Sequence, residues 1–219
     1  GIRPETIIKT GSHMREVLDY YMPKIEASVA VQRLGLEEGK FFLVSAHREE
    51  NVDPPGALRD LLETLEALVG KYGFPVIVST HPRTRKRLEG LEQGGLDSRI
   101  QFLKPFGFCD YNRLQLGAFC VLSDSGTITE EASLLNLPAV TLRNAHERPE
   151  GMDVGTLIMS GLKKERVLDA VAVVASQYSR AKRVMAAVTD YEAVAVSKQI
   201  VRVVLSYVDY VNRTVWHKS

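Results

Sequence analysis

The sequence predicts an α/β fold, in which a Rossmann-like parallel sheet carries helices on both faces. Five short apolar runs have the length and composition of buried strands, and they cover residues 41–46, 74–80, 99–103, 119–123 and 138–142. Apolar residues recur at helical spacing in the segments between and after them, at residues 57–72, 110–116, 128–135 and 164–178. Strands that alternate with helices and lack strict apolar–polar alternation are typical of a parallel sheet covered on both sides.

Helical patterns also lie near the two ends of the chain. Thr10, Gly11 and Ser12 precede apolar residues at helical spacing as far as Tyr21, which predicts a capped amphipathic helix. A longer pattern at residues 189–210 predicts another helix. We therefore expect one α/β domain over residues 1–219, in which residues 189–219 form a helical C-terminal extension.

The composition argues against several classes of function. The chain has 28 Lys and Arg against 27 Asp and Glu, and a net charge of +1 is too small for a nucleic-acid groove or a polybasic membrane surface. No apolar stretch approaches the roughly 18 residues of a membrane span, so we expect no membrane insertion. Cys109 and Cys120 are too few for a disulfide framework, which favours the cytoplasm as the location.

Polar clusters follow the predicted strands at their carboxyl ends, where ligands bind in parallel sheets. Residues 45–51 include His47 and Arg48, which suit a diphosphate and, for the histidine, proton transfer near neutral pH. A solvated loop with internal ion pairs is the alternative for this cluster. Residues 79–83 bring His81 to the end of the next strand, although a lone histidine in a loop is more often structural.

The cluster at residues 123–132 has the sharpest pattern, because it runs from an apolar strand directly into a helix. Gly126 lets the backbone approach a ligand closely, while Ser125 and Thr127 supply hydroxyl groups. The N-terminus of a helix favours a phosphate, and Glu131 lies one turn further on, within reach of ribose hydroxyls. Ordinary N-capping by Ser or Thr is the alternative.

The fourth cluster, at residues 143–151, contains two arginines that complete an anion site or form a surface ion-pair cluster. Residues 104–111 supply aromatic rings that can flank a base, although core packing is the default for Phe106 and Phe108. Neither H-E-x-x-H nor paired C-x-x-C occurs, so we predict no metal site. The clusters share one edge of the predicted sheet, and their combined chemistry fits a nucleoside diphosphate.

The ordered motifs AHREEN, STHPRT, LKPFGFCDYN, SDSGTITEEAS and RNAHERPEG resemble those of the non-hydrolysing UDP-N-acetylglucosamine 2-epimerase family. The resemblance runs from Thr10 to about Tyr207, but it matches only the C-terminal half of such enzymes. The KPFGF run, the HREEN form and the tail from Tyr210 to Trp216 are similar to the branch that forms UDP-N-acetyl-L-fucosamine. The resemblance implies the nucleotide-binding C-terminal domain of a two-domain, GT-B-type fold.

The resemblance also assigns roles to individual residues. It implies that His47 is the catalytic residue of this half, and that Ser125 and Gly126 hold the diphosphate. The other residues that it implies in substrate binding are Arg48, His81, Tyr111, Thr127, Glu131 and Arg148.

Three of these roles are specific: Glu131 would contact the ribose hydroxyls, Tyr111 would stack near the uracil, and Arg148 would lie close to the phosphates. They remain expectations from the resemblance.

Two residues match a second site in the family, and two others depart from its pattern. Arg48 and His81 match positions that face a regulatory nucleotide-sugar site in some bacterial members. Glu49 stands where relatives that act on UDP-N-acetylglucosamine usually carry Arg, and this reversal of charge weakens the case for a regulatory site here. Thr127 stands where many relatives have a second Gly.

The family's proposed mechanism implies that a base removes the C2 proton of the sugar while UDP leaves C1, and that UDP adds again to the glycal intermediate. This route requires no cofactor. The resemblance implies a UDP-activated N-acetylamino sugar as substrate, a catalytic N-terminal domain outside this chain, an inactive fragment and a homodimeric complete enzyme serving capsule or O-antigen polysaccharide biosynthesis. The nucleotide-sugar domain of a GT-B glycosyltransferase and a non-enzymatic UDP-sugar-binding module are the alternatives.

Overall fold

The computed structural model describes residues 6–89 and 95–218, and this part of the chain contains six strands and ten α-helices. The strands are β1 (Phe42–Ser45), β2 (Val76–Ser79), β3 (Ile100–Leu103), β4 (Cys120–Ser123), β5 (Ala139–Thr141) and β6 (Ile158–Met159). The helices are α1 (Met14–Glu26), α2 (Ala30–Arg33), α3 (Glu49–Val52), α4 (Pro55–Tyr72), α5 (Pro82–Glu89), α6 (Phe108–Gly117), α7 (Thr127–Leu135), α8 (Pro149–Asp153), α9 (Lys164–Gln177) and α10 (Val196–Thr214).

The strands form one parallel sheet in the order β3-β2-β1-β4-β5-β6. The order reverses between β1 and β4, because the chain builds outward on one side of β1 and then returns to build on the other. Such a reversal opens a crevice beyond the carboxyl ends of the two central strands, where ligands bind. The register pairs Ser45 with Ser123, so β1 and β4 end at the same level.

Apolar side chains cover both faces of the sheet, which confirms the predicted fold class. Successive strand residues point to opposite faces, so Phe42 and Val44 enter one core while Leu43 enters the other. Helices α4 and α9 contribute to the first core with Leu61, Leu65, Val167 and Val171. Helices α6 and α7 contribute to the second core with Leu114, Ile128 and Ala132.

The predicted apolar runs each contain one of the strands β1 to β5, and the four internal helix patterns coincide with α4, α6, α7 and α9. Strand β6 was missed because its two residues are too few to form a pattern. Helix α5 was also missed, since residues 79–83 were interpreted as a loop. It begins at Pro82, where the missing N–H of proline carries no cost in a first helical turn.

The prediction of a helix beginning at residue 189 was wrong. A short 3-10 helix occupies Thr189–Tyr191, and α10 begins only at Val196. The residue before α10, Ala195, has φ 58° and ψ 32°, a left-handed conformation that a right-handed helix cannot include. Periodicity does not reveal such a backbone interruption, because alanine is otherwise a good helix former.

The chain divides into two compact units. One is Tyr21–Val188, which contains the whole sheet, and the other combines the residues up to Tyr20 with those from Thr189 onward. In the second unit the backbone N–H of Met14 donates to Ser12 Oγ at 3.0 Å, which confirms the predicted capped start of α1. None of the helices formed by residues 6–89 and 95–218 combines the length and the apolar character needed to cross a membrane.

We expect Leu43→Ala to lower the free energy of unfolding by about 2–5 kcal/mol, because Leu43 is completely buried at the centre of the sheet and its truncation leaves a cavity. Chemical denaturation monitored by circular dichroism measures the change. Leu205→Ala is the matched control, since Leu205 is 69% exposed on α10 and its truncation should cost less than about 0.5 kcal/mol. Equal losses in the two variants would contradict the layered core.

Candidate functional site

A buried carboxylate organises the crevice at the carboxyl ends of β1 and β4. Asp124, the residue after β4, is completely buried. Its Oδ2 accepts hydrogen bonds from the backbone N–H groups of His47 and Arg48, both at 2.9 Å, and from Asn51 Nδ2 at 3.1 Å. A buried charge is costly unless several donors surround it. Asp124 therefore fixes the position of the segment that follows β1.

The imidazole of His47 also contacts this carboxylate, with Nδ1 lying 3.1 Å from Asp124 Oδ1. The hydrogen bond to Asp124 raises the pKa of His47 above its ordinary value, although partial burial and the neighbouring Arg48 oppose the shift. Because Nδ1 is engaged by Asp124, Nε2 is the nitrogen available to a ligand. The side chain of His47 is 40% exposed, so a ligand in the crevice can reach it.

Opposing effects act on the pKa of Asp124. Burial alone raises it, but hydrogen bonds from the His47 side chain, the Arg48 backbone and the Asn51 side chain outweigh burial. The pKa of Asp124 is therefore below its ordinary value. Asp124 and His47 thus form a pair in which each favours the charged form of the other.

The chain passes from β4 into α7 through Ser125, Gly126 and Thr127, which confirms the predicted strand–loop–helix geometry. Ser125 Oγ lies 2.9 Å from Thr127 Oγ1 and 3.4 Å from the backbone nitrogen of Thr127. The N-cap of α7 is Gly126 and no side chain among the described residues caps this helix, so the alternative of ordinary capping by Ser or Thr was wrong. A Cβ atom placed on Gly126 would come within 2.5 Å of a carboxylate oxygen of Glu147. The carboxylate of Glu147 therefore packs directly against the backbone at Gly126.

The fourth cluster forms ion pairs around the same loop. Glu147 pairs with both Arg48 and Arg143, while Arg148 pairs with the buried Glu130 of α7. The ion pairs of the alternative interpretation are therefore present, and binding of an anion by these arginines stays a prediction. Arg48 and Arg143 both pair with Glu147, whose carboxylate lies against Gly126. The family resemblance had instead implied that Arg148 lies close to the phosphates.

Glu131, on α7, is largely withdrawn from solvent. Glu131 is 8% exposed, and its Oε2 accepts a hydrogen bond from Gln115 Nε2 at 2.6 Å. Burial raises the pKa of Glu131, although the hydrogen bonds from Gln115 and Thr127 oppose that shift. Its expected contact with a ribose stays a prediction.

Tyr111 and His81 are the other two residues for which the sequence predicted substrate binding. Tyr111 packs against the core on the face of the sheet that carries α6 and α7. Its hydroxyl group forms hydrogen bonds with the side chains of Ser45 and Ser123, at the ends of β1 and β4. Stacking of a base on Tyr111 therefore stays a prediction. His81 is exposed, and its ring centroid lies 6.1 Å from that of His47.

The structure thus brings together His47, Arg48 and the loop containing Gly126, as the sequence predicted. Asp124 and Asn51 were not predicted as functional residues. The sequence did contain a signal for Asp124, because it is an acidic residue directly after an apolar strand. Side chains at that position enter the crevice of a parallel sheet. Within residues 6–89 and 95–218 no group of three or more His, Cys, Asp or Glu side chains is placed to hold a metal ion.

Comparison with known proteins identifies the family. The family model described as UDP-N-acetylglucosamine 2-epimerase matches residues 1–205. The chain belongs to this family. Among curated members, the UDP-N-acetylglucosamine 2-epimerase of Methanocaldococcus jannaschii is 36% identical over 136 residues, which cover 61% of this chain and 37% of that protein. The Bacillus subtilis enzyme of the same name is 25% identical over 209 residues, or 95% of this chain and 54% of that protein.

Solved structures of family members share the fold. The UDP-N-acetylglucosamine 2-epimerase structure from Rickettsia bellii has a TM-score of 0.88 at 57% identity, covering 95% of this chain and 56% of that one. The Methanocaldococcus jannaschii enzyme, solved in complex with UDP-GlcNAc and UDP, has a TM-score of 0.80 at 29% identity, covering 94% of this chain and 56% of that one. The chain therefore spans little more than half of these relatives, and its fold corresponds to part of a GT-B-like structure.

We expect Asp124→Asn to lower the pKa of His47, because the amide carries no charge and presents a donor where the imidazole has a carboxylate partner. NMR titration of the His47 ring protons measures the shift. Asp19→Asn is the control, since Asp19 forms an exposed ion pair with Arg15 on α1. An unchanged His47 titration in Asp124→Asn would contradict the pairing.

The same variant should lose about 1–3 kcal/mol of unfolding free energy, because a buried network loses a charged acceptor. Asp124 contributes stability above its ordinary pKa of 3.8, and the raised pKa of His47 contributes stability that is fully present below 6.5. The deficit of Asp124→Asn should therefore be largest between these two values and shrink as the pH rises through the raised pKa of His47. Urea denaturation across this range tests the sign, and a deficit that grows above pH 7 would contradict it.

Proposed function

We propose that the complete protein is a C2 epimerase of a UDP-activated N-acetylamino sugar, and that this chain is its nucleotide-binding half. The observation that carries the proposal is the arrangement of His47, held by Asp124, at the same sheet edge as the Gly126 loop. Membership of the family supports the reaction class, and the relative solved with UDP-GlcNAc and UDP supports the ligand class.

In this proposal the diphosphate lies at the N-terminus of α7, where backbone N–H groups and the helix dipole favour an anion. The hydroxyl groups of Ser125 and Thr127 add donors at the same place. Glu131 accepts hydrogen bonds from the ribose, and Tyr111 flanks the uracil. The ion pair of Arg148 with Glu130 leaves this arginine a supporting role near the phosphates.

The proposed reaction is an elimination followed by an addition. A base takes the C2 proton, the C–H electron pair forms the C1–C2 double bond, and the C1–O electrons leave with the β-phosphate of UDP. Reprotonation of the glycal at C2 on its other face and return of UDP to C1 give the epimer. We place the carboxylates that exchange the C2 proton in the N-terminal domain, and the route uses no redox cofactor and no metal.

His47 has a defined role in this mechanism. Departure of UDP adds negative charge to the diphosphate, and groups already aimed at that charge lower the barrier. Because Asp124 raises its pKa, His47 carries a positive charge over a wider range of pH and can donate from Nε2 to the leaving phosphate oxygen. This chain therefore stabilises the leaving group.

For the particular product we propose UDP-N-acetyl-L-fucosamine, formed from the corresponding L-talose sugar nucleotide for surface polysaccharide. Its support is the KPFGF run, Glu49 in the HREEN motif and the tail from Tyr210 to Trp216. We further propose a cytoplasmic homodimer for the complete enzyme, and no catalysis by this chain alone. Arg48 and His81 serve the main crevice in this proposal, because Arg48 contacts Asp124 and Glu147, and His81 lies beside His47.

We expect this chain to bind UDP, and Glu131→Ala to weaken binding about 10- to 100-fold, since hydrogen bonds to a charged group contribute about 1.5–3 kcal/mol. Isothermal titration calorimetry measures both affinities. Glu165→Ala on the exposed start of α9 is the control and should leave the affinity unchanged. Folded protein that does not bind UDP would argue against the nucleotide site.

In the complete enzyme, turnover in deuterated water should place deuterium at C2 of the sugar, because the proposed mechanism exchanges that proton. Proton NMR of the recovered UDP-sugar shows the exchange. His47→Asn should lower kcat about 10²–10⁴-fold, the usual range for a positioned proton donor. Retention of the C2 proton during turnover would overturn the epimerase mechanism. Transfer of the sugar to an added acceptor without free epimer would favour the glycosyltransferase alternative.

A further inference from the structure

We infer that Arg48, Arg143 and the backbone at Gly126 form an anion subsite whose present occupant is the carboxylate of Glu147, and that a diphosphate binds there by displacing it. The inference deepens the proposed function. It rests on that function for the identification of the ligand as a nucleoside diphosphate. It assigns a binding role to Arg143, and it predicts that the carboxylate of Glu147 competes with the ligand.

The carboxylate of Glu147 lies directly over Gly126. A Cβ atom built on Gly126 would be 2.5 Å from Oε1, 2.7 Å from Cδ and 2.9 Å from Oε2, so the whole carboxylate faces the glycine. Gly126 is the N-cap of the nine-residue helix α7, so the carboxylate lies at the positive end of the helix dipole. An anion at this place is stabilised by the helix, and the chain supplies one from its own side chains.

Charge at the subsite is not balanced by Glu147 alone. Two guanidinium groups, those of Arg48 and Arg143, pair with this single carboxylate, and the helix end adds a partial positive charge of about one half. The side chain of Arg143 is 11% exposed, and its Nε is buried without a hydrogen-bond partner in the described part of the chain. A diphosphate offers more negative charge and more acceptor oxygens than a carboxylate, and arginine pairs well with phosphates.

The parts of the subsite differ in how firmly they are held. Arg48 is anchored independently of Glu147, because its Nε donates to the backbone carbonyl oxygen of Asp124 at 2.8 Å. Glu147 lies in the irregular segment between β5 and α8, and its side chain is 40% exposed. Displacement of Glu147 therefore leaves Arg48 in place, and the carboxylate can turn toward water.

The measurable consequence is an affinity lower than the subsite alone would provide. If the carboxylate leaves the subsite about a tenth of the time, the apparent dissociation constant is about tenfold above the intrinsic one. Removing the charge of Glu147 while keeping its shape should abolish this competition. We therefore expect Glu147→Gln to bind a diphosphate about tenfold more tightly than the unmodified chain.

The test uses pyrophosphate as the probe, with isothermal titration calorimetry on this chain and its variants. Glu37→Gln is the matched control, since it removes one negative charge from an exposed residue before the amino end of β1. Arg143→Gln is combined with Glu147→Gln in a double variant, which should lose the gain in affinity. Glu147→Ala provides a second variant with the charge removed, and circular dichroism confirms that each variant is folded.

Tighter pyrophosphate binding by both Glu147 variants, with no gain in Glu37→Gln or in the double variant, supports the inference. Absence of binding, an equal gain in Glu37→Gln, or a gain that survives loss of Arg143 overturns it. UDP titrated in parallel separates the two proposals. Failure of UDP to bind while pyrophosphate behaves as expected overturns the nucleotide site and leaves the anion subsite, whereas UDP binding without any gain in Glu147→Gln overturns only the competition.

Discussion

The buried carboxylate of Asp124 is the interaction on which the site depends. It stands at the end of β4 and binds the backbone of His47 and Arg48 beyond β1, so it joins the two central strands where the sheet order reverses. Its charge is stable in the interior because backbone, amide and imidazole donors surround it. The same contacts orient the imidazole and raise its pKa. The side chain of Asp124 therefore affects both the stability of the fold and the protonation of His47.

The net charge of +1 gains a structural explanation from this arrangement. The proposed site for one small anion needs only a few cations at one place, and the arginines at the sheet edge are paired with carboxylates of the same chain. Glu147 forms ion pairs with Arg48 and Arg143, and Glu130 forms an ion pair with Arg148. In the proposed competition, a ligand that displaces Glu147 must break its ion pairs, which lowers the apparent affinity.

Particular elements show where pattern reasoning works in this chain. Strands β1 to β5 were located because buried parallel strands are continuous apolar runs, and Gly126 was singled out because a glycine between a strand and a helix lets an anion approach the helix N-terminus closely. The start of α10 was misplaced because the left-handed backbone at Ala195 leaves no mark on hydrophobic periodicity. Strand β6 pairs with β5, and its two residues are too few to give a hydrophobic pattern in the sequence.

The sequence by itself determined the fold class, the sheet edge that carries the polar clusters, and a family resemblance that the comparisons confirm. These depend on periodicity and on motifs that are local in the chain. Only the tertiary structure decided which charges meet: Asp124 with His47, 77 residues apart, and Glu147 with Arg48, 99 residues apart. The energies of such pairs depend on distance and burial, which are set by how the strands are ordered in the sheet.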